Sequence, residues 1–311
     1  MPFARREFLV GSGAAVGIGA LAACTGDDSS SSSTTVPSAS QAAATSGVGE
    51  TALGDPDEVR EVLPASTLLA LGDGRLLRLG GSADAVELVE RGAVLWHAGG
   101  PGSELGQFHR ITGAAVGPDG TYWIVDAGNR RLQVLSDMGE ARRVVGAPVD
   151  GAGPLQRPVG VAVAPDGRAY VGDAARSAVV PFAPDGVAGE PIGGFGAEHA
   201  FVGIAALQIA RDELVVVESL APRVQIRDLD GAWLRSIELP GHFRTADLAV
   251  DGDQIFLVSQ SGLLVRTTMD GATEADDVEL LGHLGTHAHG LHLGQDGVIV
   301  AAHALPIDLV R

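Results

Sequence analysis

One segment recurs along this chain, and the recurrence limits what the chain can fold into. Residues 113–126 read Gly-Ala-Ala-Val-Gly-Pro-Asp-Gly-Thr-Tyr-Trp-Ile-Val-Asp. Residues 160–173 read Gly-Val-Ala-Val-Ala-Pro-Asp-Gly-Arg-Ala-Tyr-Val-Gly-Asp, 47 residues later. In each copy a short apolar run meets Pro-Asp-Gly, a tight turn in which proline presets φ and glycine accepts a positive φ. Tyr122 to Val125, rich in aromatic and β-branched residues, follows as a second strand. Asp126-Ala127-Gly128-Asn129 turns the chain again, Arg131 to Leu135 forms a third strand, and Asp137-Met138-Gly139 ends it. The stretch from Gly102 to Glu140 therefore predicts one four-stranded antiparallel unit. Such a unit cannot cover its own apolar faces and needs neighbours of its own kind.

Weaker copies supply those neighbours. They run through Ala206–Ile209 with Leu214–Glu218 and Arg223–Ile226, and through Asp247–Val250 with Gln254–Ser259 and Leu263–Arg266. Gly290–Leu293 with Val298–Ala302, and Leu68–Leu71 with Arg75–Leu79, complete the set. Six units at a spacing of roughly 40–47 residues have the period of propeller blades. The expected fold is all-β, a six-bladed β-propeller over residues 51–311. A strand at Thr67 to Leu71, or just before it, is expected to complete the last blade.

The N-terminus carries separate signals. Arg5-Arg6-Glu7-Phe8-Leu9 reads as a twin-arginine export signal, and the apolar run Val10 to Ala22 is too short to span a membrane. Leu21-Ala22-Ala23-Cys24 looks like a lipobox, which makes Cys24, the chain's single cysteine, the lipidation site. Residues 1–23 are expected to be a signal peptide. Residues 24–50, rich in Ser, Thr and Ala, are expected to be a disordered tether with too little apolar surface to order itself. Export to the outer face of the cytoplasmic membrane, with a lipid anchor at Cys24, follows as the expected localisation.

A formal charge of −18 repels phosphate backbones, so nucleic acid is not an expected partner. All 21 basic residues are arginine, and 44 glycines suit a chain of many turns.

The pattern Phe108-x4-Gly113-Ala114-Ala115-Val116-x-Pro118-Asp119-Gly120-x-Tyr122-x3-Asp126-x-Gly128-Asn129-Arg130-Arg131-Leu132-Gln133-Val134 resembles an NHL repeat, the unit of NHL-type β-propellers. The resemblance is good here and from Arg157 to Asp173 and fades elsewhere. The Asn-His pair of the family stands here as Asn129-Arg130. The resemblance implies a protein-binding module. Some NHL-type propellers bind RNA, and related six-bladed propellers are hydrolases or lyases with a metal in the central channel. Fold alone does not choose among these.

Two constellations bear on that choice. Arg110, Arg157 and Arg244 hold one repeat position, three residues before the aligned Gly113 and Gly160, and His287 holds it in the sixth copy. Gly203 and Pro64 fill it in the fourth and first. Like charges converging on one axis repel and call for anions or neighbouring carboxylates. The functional expectation is an anion-binding mouth for a protein or an anionic small ligand, with no cofactor. The structural alternative pairs each arginine with a nearby aspartate or stacks it on a blade. The second constellation is His283, His287, His289 and His292, with His303 beyond. His287 and His289 are the metal candidates, for zinc or another divalent ion in a metal-dependent hydrolase or lyase resembling lactonases or amidating lyases. His109 and His242 are the only candidates from other copies near a rim. No serine lies in a nucleophile-elbow pattern. The balance leans towards a binding module rather than an enzyme. Asp126, Asp173 and Glu218 are expected to tie strands to turns, and Trp96, Trp123 and Trp233 to pack the blades.

Overall fold

A computed structural model describes residues 67–71, 73–80, 84–241, 243–270, 278–283, 288–294 and 297–302. Its strands form successive antiparallel meanders. The first sheet contains β1 (Thr67–Ala70), β2 (Arg75–Gly80), β3 (Ala85–Glu90) and β4 (Ala93–Gly99), in that order. The second contains β5 (Ile111–Val116), β6 (Tyr122–Asp126), β7 (Arg131–Leu135) and β8 (Ala141–Val145). The third has β9 (Pro158–Val163), β10 (Ala169–Asp173), β11 (Ala178–Phe182) and the two-residue β12 (Ile192–Gly193). The fourth has β13 (Ala206–Ala210), β14 (Glu213–Val217), β15 (Arg223–Asp228) and β16 (Trp233–Glu238). The fifth has β17 (Thr245–Asp251), β18 (Gln254–Ser259), β19 (Leu263–Thr268) and β20 (Glu279–His283). A two-stranded sheet of β21 (Ala288–Gly294) and β22 (Gly297–Ala302) follows.

The first strand of each sheet touches the first strand of the next: β1, β5, β9, β13, β17 and β21 follow one another, and β21 returns to β1. The sheets are thus arranged about an axis, and the fold is a β-propeller. Against the expected six blades, five are four-stranded among the described residues. The strand at Thr67 to Leu71 also differs from expectation. Residues Thr67 to Ala70 pair with Leu79 to Leu76, which makes β1 the innermost strand of the first blade rather than the closing strand of the last.

The core explains why the units need one another. Each apolar cluster spans two consecutive blades. Trp123, Val125, Leu132 and Val134 pack on Val161, Val171, Val180 and Phe182. Val215, Val217 and Ile226 pack on Leu248, Ile255 and Leu257. Middle strands such as β6 and β10 are buried along their whole length because both faces meet a neighbour. Outer strands such as β4 and β16 are largely exposed. Near the axis the strands carry small residues, since the sheets converge there. A Cβ on Gly113 would lie 3.2 Å from the Cα of Gly160 in the next inner strand.

Candidate binding rim and central channel

All inner strands run the same way, so the loops that lead into them lie at one end of the molecule. Arg110, Arg157 and Arg244 stand there, each just ahead of β5, β9 or β17, and each is exposed. Their equivalence is visible in the backbone. The Arg110 carbonyl accepts a hydrogen bond from the Ala127 N–H at 3.2 Å, that of Arg157 from Ala174 at 3.0 Å, and that of Arg244 from Gln260 at 2.8 Å. In the fourth blade Val202 has this role, accepting from Leu220 at 3.1 Å, so the expected Gly203 is displaced by one residue. Arg110 takes a φ of 55°, held by its N–H donating to the Asp84 carboxylate at 2.8 Å. Among the described residues, none of the three guanidinium groups has a hydrogen-bond or ion-pair partner. His287, Pro64, Cys24, Arg5 and Arg6 lie outside the described residues.

The carboxylates beneath this rim are committed to structure. Asp126 is fully buried and accepts from the His109 N–H at 2.8 Å, Asn129 Nδ2 at 2.9 Å, Arg131 Nε at 2.7 Å and Gln133 Nε2 at 3.2 Å. Asp173 takes the N–H groups of Gln156, Arg157, Ala175 and Arg176 instead. Glu218 pairs with Arg223 at 2.8 Å and Gln225 at 2.6 Å. Asp126 and Asp173 tie the second strand of a blade to the loop above it, as their positions in the repeat led one to expect, whereas Glu218 ties the end of β14 to β15, whose Arg223 and Gln225 reach on to the Ala200 carbonyl. Of the tryptophans, Trp123 is buried, Trp96 donates to the Asp137 carbonyl at 2.9 Å, and Trp233 stacks on His199 at 4.1 Å.

The opposite end carries the acidic turns. Arg75 hydrogen-bonds Asp73 and holds its carboxyl below the usual range. The Thr121 hydroxyl does the same to Asp119, and the Arg168 N–H, followed by its side chain, to Asp166. Arg211 bridges Asp253 at 2.8 Å and Asp270 at 3.4 Å. Among the described residues the three rim arginines thus lack the carboxylate partners that Arg75, Arg168 and Arg211 have at the opposite end.

Between the two ends runs a cavity of about 320 Å³, lined by the inner strands with residues such as Leu68, Thr112, Ala115, Val161 and Leu207. Asp247 is the one charged residue on its wall among the described residues. It borders the cavity and is half-buried. Its Oδ1 accepts from its neighbour's N–H, that of Leu248, at 2.8 Å and its Oδ2 from the Leu291 N–H of β21 at 2.9 Å. Burial without a cationic partner pushes its carboxyl up to about 7. Sequence reasoning passed over this residue, although the repeat contains the signal. Asp247 follows Arg244 by three, as Gly113 follows Arg110.

Of the metal candidates, His289 lies on β21 at the register shift between Ala288 and Gly290, with its backbone described, and His287 is outside the described residues. His109 presents its N–H to Asp126 and packs its ring over Gly128, while His242 and His303 are outside the described residues. Among the described residues no three His, Cys, Asp or Glu side chains stand close enough to share a metal ion.

No family profile matches the chain, and no curated protein sequence does. Solved structures do. Virginiamycin B lyase from Staphylococcus aureus superposes with a TM-score of 0.58 at 16% identity over 76% of both chains. A streptogramin B lyase gives 0.57 at 15% over 82% of this chain and 97% of its own. A nidogen/laminin complex gives 0.56 at 15% over 79% and 86%. The similarity is one of fold. At such identities it extends to the blades and stops short of the sites.

Proposed function

We propose that this chain is an exported, lipid-anchored recognition module, an NHL-like propeller whose arginine rim binds an anionic group on a protein or small ligand. The observation that carries this reading is the trio Arg110, Arg157 and Arg244: equivalent in the backbone, exposed, and without a partner among the described residues. A guanidinium fork matches carboxylate or phosphate geometry, and three forks at one mouth favour a group that several can share. The net charge of −18 repels long polyanions, which selects a compact anionic group over a nucleic acid. The His287 position would add a fourth donor by its place in the repeat.

Six blades remain part of the proposal. In its support, β21 and β22 occupy the place between β17 and β1. The anchor rests on the order twin arginine, apolar run, small residues, Cys24. In cells, Cys24→Ala is expected to release the protein from the membrane fraction, and replacing Arg5 and Arg6 by lysine to hold it in the cytoplasm. For the rim, the triple variant Arg110→Ala, Arg157→Ala, Arg244→Ala is compared with wild type for salt-dependent binding of phosphate and acetate and for pull-down partners. Loss of anion binding with an unchanged melting curve is expected. A triple variant that keeps every ligand and partner refutes the reading.

A further inference from the structure

Strand register places Asp247 at one position of a ring. The residue opposite the penultimate residue of the second strand is Thr67 in β1, Gly113 in β5, Gly160 in β9, Leu207 in β13, Asp247 in β17 and Gly290 in β21. Four are small, as the close approach of inner strands demands, and Leu207 fills the space that the glycine at 160 leaves. The sixth is a carboxylate on the wall of the channel.

Among the described side chains, the surroundings of Asp247 supply hydrogen-bond donors and no charge. β13 and β18, packed against β17, carry no charged residue, and β14, which also meets β17, carries Glu213, paired with Arg235. On β17 and the loop before it, Arg244 and Asp251 stand at the two ends, and β21 carries His289 and His292 in its sequence. Each carboxylate oxygen takes one backbone N–H, and each retains a further lone pair. The cavity of about 320 Å³ has room for about ten water molecules and lies in the size range of small-ligand sites. Among the described side chains the channel offers one carboxylate in apolar surroundings, too poor a donor set for Zn²⁺, Ca²⁺ or Mg²⁺. It suits a monovalent organic cation with an aliphatic body, and the −18 charge of the chain concentrates such cations near it.

We propose that the central channel binds a small aliphatic ammonium ion, its head on the Asp247 carboxylate and its chain against the small apolar side chains of the inner strands. This site is separate from the arginine rim and stands or falls without it.

The test is titration of the full-length chain with n-butylammonium and, as the neutral counterpart, n-butanol, read by calorimetry at pH 6 and pH 8. Butylammonium should bind at least tenfold more tightly than butanol. Its affinity should rise about tenfold between the two pH values, as a carboxyl titrating near 7 ionises. Asp247→Asn should lose the preference for the cation and the pH dependence together. Equal binding of the alcohol, absence of saturable binding, or unchanged cation affinity in Asp247→Asn each overturns the proposal. So does a pH dependence that survives the substitution, because it would belong to His289 or His292. The wild-type pH and alcohol comparisons decide the matter even if the variant fails to fold.

Discussion

Asp126→Ala is the sharpest test of how the loops above the blades are held. The carboxylate has no solvent exposure and gathers donors from the loop before β5, from the β6–β7 turn and from β7. Its cationic partner Arg131 is itself only 9% exposed along the side chain and also donates to the Glu104 and Gln107 carbonyls at 2.9 and 3.0 Å. Removing the carboxylate leaves a guanidinium in the interior with no counter-charge, and the N–H of His109 without an acceptor. Breaking one half of a buried pair costs about 3–5 kcal/mol. That is a large share of the stability of a domain. Urea unfolding followed by tryptophan fluorescence measures it. Arg131→Met should recover part of the loss, because the methionine brings no charge, and the double-mutant cycle should return a coupling of roughly 1–3 kcal/mol. An Asp126→Ala variant destabilised by less than about 1 kcal/mol, or a double variant equal to the sum of the singles, would refute the account.

Other consequences are as direct. Gly120 and Gly139 both have positive φ, 76° and 80°, but a Cβ on Gly120 meets nothing within 4 Å while one on Gly139 would sit 2.6 Å from the Trp96 ring. Gly120→Ala should cost about 1–2 kcal/mol from backbone strain alone, and Gly139→Ala a further 1–3 kcal/mol from overpacking, read in urea melts with a shifted Trp96 emission. Asp247, with its carboxyl raised to about 7, keeps its proton in the folded chain between about pH 4 and 7, where the unfolded chain has released it. Stability should therefore fall as pH rises through that window, by at most about 4 kcal/mol because channel water screens the group, and Asp247→Asn should flatten the slope in pH-dependent melts. Asp73, Asp119 and Asp166 act in the opposite sense: their lowered values contribute stability that is lost as pH falls below about 4, so acid melts of a variant lacking the three should begin at higher pH.

How much of this was legible in the sequence depends on whether a residue answers to its own neighbours or to a neighbouring blade. The Pro-Asp-Gly turns, β5 to β7 and the acidic residue closing each second strand are local matters, fixed by φ preferences and two-residue alternation, and they stand where the repeat put them. The destination of β1 is not local. Whether Thr67 to Ala70 opens the first sheet or closes the last turns on which edge its backbone pairs with, and both choices suit the same four residues. The rim shows the same division. Spacing located Arg110, Arg157 and Arg244, whereas their lack of partners among the described residues could be seen only once the carboxylates below them were found satisfied by backbone N–H groups and by Arg131 and Arg223. Asp247 is the instructive omission. Aligned on the rim arginines it occupies the slot of Gly113 and Gly160, and as one more aspartate in an acidic chain it carried no weight. Its meaning comes from the ring: at a position where the inner strands approach within a Cβ of each other, a side chain has nowhere to go except onto the next strand and the channel, and a carboxylate placed there must take its hydrogen bonds from the one and can meet a cation only in the other.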